Sequence, residues 1–153
     1  MTADIQRFFE DKVPAQWFAG PLSTTSDDEE IHCVGALPAG VEIDEFRATT
    51  RPERVAIAEA AESRFGRKVS WGVERGGVTT MFTTQSTPVM TRLRLPERVV
   101  LDTLVDAGVA RSRSDALAWC VRLVGRHQEE WLGELRDALV GVERVRAEGP
   151  RLI

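Results

Sequence analysis

The chain has 153 residues, 42% of them hydrophobic and 29% charged, with a net charge of -4, two cysteines, four tryptophans and six phenylalanines. That balance describes a globular protein able to bury a core without disulfides or a structural metal. The charge is unevenly divided: residues 1–88 hold 9 basic and 14 acidic side chains, a net of -5, and residues 89–153 hold 11 and 10, a net of +1. The acidic part is therefore not expected to touch nucleic acid, because phosphate contacts need local positive charge.

Ile5, Phe8 and Phe9 recur at helical spacing over residues 3–12, and Pro14 ends the pattern. The same stretch carries Asp4, Glu10 and Asp11 without a basic-then-apolar order, so no signal peptide is expected. The longest uncharged run, Gly76 to Thr91, is threonine-rich and unsuited to a bilayer. With Cys33 and Cys120 read as small buried hydrophobes, a reducing, cytoplasmic setting is the expectation.

QWFAGPL, residues 16–22, and EIHCVGAL, residues 30–37, read as strands joined by an acidic turn within STTSDDEE. TRPE, Thr50 to Glu53, has the form of a capping box opening a helix that Gly66 stops after Phe65. KVSWGVERGGVTTMFTT then reads as a hairpin turning at Arg75 to Gly77, with Val69, Trp71 and Val73 on one face. The first part is thus an acidic α-β-β-α-β-β domain over residues 1–88, suited to a small-molecule or protein effector or to oligomerisation.

QSTP, residues 85–88, is the one linker-like stretch. Beyond it, TRLRLPERVV alternates Arg92 and Arg94 with Leu93 and Leu95, as on a short strand. Pro96 opens a helix carrying Val100, Leu101, Leu104 and Val105, which Gly108 closes. From about Ser114 to Val145 a long helix is expected. Its Leu117, Val121, Val124, Gln128, Trp131, Leu135, Ala138, Val142 and Val145 alternate spacings of 4 and 3, a heptad seam that implies a partner helix. Ala116, Cys120, Leu123 and His127 widen the apolar face of its first half.

The stretch MTRLRLPERVVLDTLVDAGVARSRSDALAWCVRLV, Met90 to Val124, resembles the ribbon-helix-helix family of DNA-binding proteins, most distinctively in GVARSRSDAL. The resemblance implies two intertwined chains whose strands pair into an antiparallel ribbon lying in the major groove. Leu93 and Leu95 would then face a shared core, while Met90, Arg92 and Arg94 reach base edges. Arg111, Ser112, Arg113 and Ser114, at the start of the second helix, would hold a phosphate through open N–H groups and charge. Leu117, Val121, Val124, Trp131, Leu135 and Val142 would form the dimer seam.

Enzyme chemistry finds no footing, since no phosphate-binding glycine loop, nucleophile elbow or His-Glu helix motif is present. Cys120 and His127 lie about 10.5 Å apart along a helix, too far to share a metal, and His32 and Cys33 point to opposite faces of a strand. No catalytic residue, cofactor or metal ligand is expected. The reading as a whole is an α+β chain: the acidic domain, then a ribbon-helix-helix domain over residues 89–153 with an extended second helix. Its function is that of a homodimeric transcriptional regulator with double-stranded DNA as partner. Two other readings are an antitoxin repressing its own operon, for which residues 1–88 look too well folded, and a dimerisation scaffold without DNA, which the overall acidity favours.

Overall fold

Residues 2–149 are described by a computed structural model, a mixed α+β arrangement of six α-helices and one four-stranded sheet, divided into two units between Val89 and Met90. The first unit runs α1 (Thr2–Lys12), a 3-10 turn (Ala15–Trp17), β1 (Ser23–Ser26), β2 (Glu30–Ala36), α2 (Ile43–Thr49), α3 (Arg51–Phe65), β3 (Lys68–Arg75) and β4 (Val78–Met81).

The sheet order is β1-β2-β3-β4, with antiparallel outer pairs and a parallel central pair, Ile31 opposite Val69 and Cys33 opposite Trp71. Parallel neighbours need a crossover, and the chain between β2 and β3 supplies it as α2 and α3. Ile31, Cys33, Trp71 and Val73 of the sheet join Ile5, Phe8, Phe9, Phe46, Ile57 and Ala61 of the helices in one core. Its aromatic rings meet edge to face: Phe9 on Trp71 at 5.7 Å, Trp17 on Phe46 at 5.9 Å and Trp17 on Trp71 at 6.2 Å. Such pairs add about 0.5–1.5 kcal/mol each beyond the area they bury. Burial pushes the Cys33 thiol up to about 12.

On the other face of the sheet Glu30 accepts from the buried Ser70 hydroxyl and from Gln85 N at 3.0 Å, and its second oxygen lies 3.1 Å from His32 Nε2. Burial works to raise the Glu30 carboxyl, but the bonds from Ser70, Gln85 and His32 outweigh it and hold the group below its usual range.

Local punctuation behaves as expected at several points. Gly66 ends α3 at φ 69, and Gly76 and Gly77, at φ 60 and 79, make the two-residue turn that a right-twisted hairpin requires. Other expectations are corrected. QWFAGPL is not a strand, because adjacent Trp17 and Phe18 are both buried in the core, which strict alternation forbids. β1 is instead the STTS segment, and the turn tightens around Asp27, whose Oδ1 accepts from Glu29 N at 2.9 Å and Glu30 N at 2.8 Å. The order therefore gains a helix, α2, between β2 and α3. Nor is TRPE a capping box. Thr50 has helical dihedrals, φ -88 and ψ -3, and its hydroxyl donates to Phe46 O at 2.6 Å and accepts from Arg54 Nε at 2.9 Å, so it joins two helices instead of starting one.

The second unit contains α4 (Leu95–Asp106), α5 (Arg113–His127) and α6 (Glu129–Glu148). Pro96 sits in the first turn of α4, and Gly108 follows it at φ 73. The single long helix is corrected to two: Gln128, at φ -121 and ψ 27, caps α5 and opens α6. The expected strand over residues 91–95 is absent, and Leu95 is the first residue of α4. A strand exists only by pairing, and no second strand lies in this unit among the described residues. No described helix is long and apolar enough to cross a membrane.

Packing at Gly35 provides a direct check. A Cβ there would meet the Phe18 ring at 2.3–2.7 Å, so Gly35→Ala is expected to destabilise the first unit by about 1–3 kcal/mol, seen as a lower urea midpoint with an unchanged slope.

Candidate nucleic-acid interface

The segment from Gln85 to Arg94 has no regular structure, and Met90, Arg92 and Arg94 are all exposed, Met90 at 94%. The side chains of Arg92 and Arg94 have no hydrogen-bond or ion-pair partner among the described residues, and the backbone at Arg94 is extended, φ -81 and ψ 174. Leu93 packs against the small core of the unit, as an alternating pattern requires. Leu95 does not follow it and is 63% exposed. Arg98 reaches back from α4 to donate from Nη1 to Leu93 O at 2.7 Å, which anchors the end of the extended segment to the helix after it.

At the start of α5, Ser112 is the N-cap, its Oγ accepting from Asp115 N at 3.2 Å. Asp115 completes the cap by accepting from Arg111 N at 3.0 Å and meeting Arg111 Nε at 3.5 Å. The backbone bonds and charge of Arg111 hold the Asp115 carboxyl below its usual range. The N–H groups of Arg113 and Ser114 stay open at the positive end of the helix. The Arg113 side chain is committed elsewhere: Nε and Nη2 grip Asp102 of α4 at 2.6 and 2.7 Å, a bidentate pair that ties α4 to α5. All four residues expected to hold phosphate are exposed, but both arginines have carboxylate partners within the chain, Arg113 bidentately on Asp102 and Arg111 at longer range on Asp115.

The seam residues divide around Gln128. Leu117 is half-buried against Leu101, Ala110 and Ala116, while Val121, Val124, Trp131, Leu135 and Val142 are exposed, Val121 at 66%. Of the second stripe, Ala116 is buried, Cys120 and Leu123 are half-buried, and His127 is exposed.

Three arginines of the first unit were not anticipated as a group. Arg47, Arg51 and Arg54 come to one side of the α2–α3 joint, although the only adjoining basic pair in that half of the sequence is Arg67 and Lys68. Their spacing of 4 and 3 was the available signal, and it needs an unbroken helical path through Thr50 to act. Among the described residues no group of His, Cys, Asp and Glu is arranged to hold a metal.

Residues 3–81 match the family described as Rv1265-like protein, N-terminal domain, and residues 94–146 match the one described as Mb1296 C-terminal domain. The chain is 54% identical over 157 aligned residues to Mb1296 of Mycobacterium bovis and, equally, to MT1303 and Rv1265 of Mycobacterium tuberculosis, with 95% of this chain and 70% of each relative covered. No solved structure matches it significantly.

The Asp102–Arg113 pair carries a pH signature. Hydrogen bonding from Arg113 lowers the Asp102 carboxyl in the folded chain. The pair therefore stabilises above the ordinary carboxylate range and stops doing so as the pH falls through the lowered value. Asp102→Asn is expected to lower the urea midpoint of the second unit near neutrality, and the gap from the native chain should close at acid pH.

Proposed function

The chain belongs to the Rv1265-like family, and from that premise we propose that it is a homodimeric, sequence-specific DNA-binding protein of ribbon-helix-helix type, acting as a transcriptional regulator. One observation carries the reading: the second unit cannot satisfy its own apolar surface. Leu101, Ala110 and Ala116 are its only buried hydrophobic side chains among the described residues, while Val99, Val100, Val121, Val124, Trp131 and Leu135 stand exposed. So small a core does not offset the entropy of ordering three helices, and a second copy covering these faces supplies what is missing.

In that dimer the extended segments of two chains pair across the two-fold axis, which gives partners to the backbone groups of Thr91 to Arg94 that Arg98 does not already hold. The side chains of Arg92 and Arg94, without partners among the described residues of one chain, then face outward together and can each hold O6 and N7 of a guanine. Met90 offers an apolar contact to a thymine methyl. Arg111 and the open N–H groups of Arg113 and Ser114 hold the flanking phosphate. The acidic first unit stays clear of the duplex.

A second reading, a dimerising scaffold without DNA, is favoured by the Arg113–Asp102 pair, which removes one cation from the phosphate side.

Selection of full-length protein on a random duplex library separates the two. The expected result is a two-fold symmetric motif, with Arg94→Ala costing about 1–3 kcal/mol on it and relaxing one base pair in each half-site. No enrichment at low salt leaves the scaffold. Assembly is checked independently by sedimentation: the native chain should run as a dimer at micromolar concentration and Val121→Glu with Leu135→Glu as a monomer whose first unit stays folded while its second loses helix content, since both side chains are exposed in a single copy.

A further inference from the structure

The first unit contains a pocket of about 600 Å³ between α2, α3 and the β3–β4 side of the sheet, and its polar lining consists almost entirely of hydrogen-bond donors. Arg54 is 7% exposed and lies over the Phe82 ring, its guanidinium carbon 4.8 Å from the centroid. Its Nε is held by Thr50 Oγ1 at 2.9 Å and its Nη2 by Arg47 O at 2.7 Å, so Nη1 has no partner among the described residues. Arg47 stands beside it, 5.7 Å from the same ring, and Arg51 follows one turn before Arg54.

Among the described residues no carboxylate is paired with any of the three. Burial first, then the charges of Arg47 and Arg51, push the Arg54 guanidinium below its ordinary value, as expected of cations gathered without a counter-ion. On the sheet side Trp71 is 4% exposed, and its Nε1 is buried with no hydrogen-bond partner. An orphan donor at that depth is unfavourable, and buried indole N–H groups ordinarily find an acceptor. The uncompensated trio of cations calls for an acceptor-rich anion, and the unpaired N–H belongs to a residue of the same lining.

We propose that this pocket binds a small phosphomonoester with an apolar body. The charge count selects the head group, because three guanidiniums against the single rim carboxylate of Asp44 leave two positive charges, matching a dianion better than a carboxylate. Val55, Ala58 and Val69 supply an apolar wall for the remainder of the ligand. The site is independent of the DNA reading: it lies wholly in the first unit and is tested by binding alone.

Calorimetry on the full-length protein with phenyl phosphate, inorganic phosphate, benzoate and benzyl alcohol tests it. Phenyl phosphate should bind one per chain, about tenfold or more tighter than inorganic phosphate, which lacks the apolar body, and tighter than benzoate, while benzyl alcohol should not bind. Arg51→Gln and Arg47→Gln, both at exposed positions, should each weaken phenyl phosphate about tenfold while leaving the thermal midpoint of the unliganded chain in place. In a nitrogen–proton correlation spectrum the Trp71 indole signal, identified by its loss in Trp71→Phe, should shift as phenyl phosphate is added. Benzoate binding more tightly than phenyl phosphate would overturn the head-group assignment. Equal binding of benzyl alcohol, an unmoved indole signal, or unchanged affinity in both arginine variants would overturn the site.

Discussion

Two parallel neighbouring strands cannot be joined by a tight turn, and the parallel pairing of β2 with β3 is the constraint on which the first unit depends. The chain leaving Ala36 has to travel the length of the sheet before re-entering at Lys68, and it does so as two helices. That return lays Phe46, Ile57 and Ala61 over Ile31, Cys33, Trp71 and Val73, and it closes the aromatic cluster around Trp17. Thr50 decides the rest. Because its hydroxyl bonds Phe46 O and Arg54 Nε, α2 runs into α3 without a loop, and residues 47, 51 and 54 come to the same side. The arginine pocket is thus a by-product of how the crossover is jointed, and Phe82, just past β4, forms its floor.

The second unit is governed by a shortage. Two of its three helices, α4 and α5, meet around a few side chains, and both the Asp102–Arg113 pair that ties them together and the Ser112 cap with Asp115 at the start of α5 are polar and largely exposed. Exposed ion pairs contribute little, so the geometry of the helix pair is specified more firmly than it is stabilised. The break at Gln128 matters here, since it gives α5 and α6 separate axes, and one straight partner helix cannot follow both halves of the heptad pattern.

Features written in local backbone chemistry were legible from the residues alone. Gly66, Gly76, Gly77 and Gly108 all adopt positive φ, and Pro96 sits in a first helical turn. Features set by tertiary contacts were not. Trp17 and Phe18 look like strand residues until both are seen to enter one core, and Thr50 looks like a cap until Arg54 folds back on it. The heptad spacing runs straight through Gln128, because periodicity records which residues are apolar and not where the backbone departs from the helix. In the candidate interface, the exposure of Arg92 and Arg94 was legible, whereas the capture of Arg113 by Asp102, 11 positions away, required the α4–α5 packing. Arg47, Arg51 and Arg54 were visible as residues but not as a cluster, since α2 itself was not anticipated.

The contrast between the two cysteines has a practical consequence. Cys33 is fully buried with its thiol pushed up to about 12, so it presents almost no thiolate and no access to an alkylating reagent. Cys120 lies half-buried on α5, three residues past Leu117. A maleimide spin label or fluorophore therefore attaches at one position on the native sequence, without engineered cysteines. That position is on the helix pair proposed to assemble, so label-to-label distances report directly on whether two copies associate there.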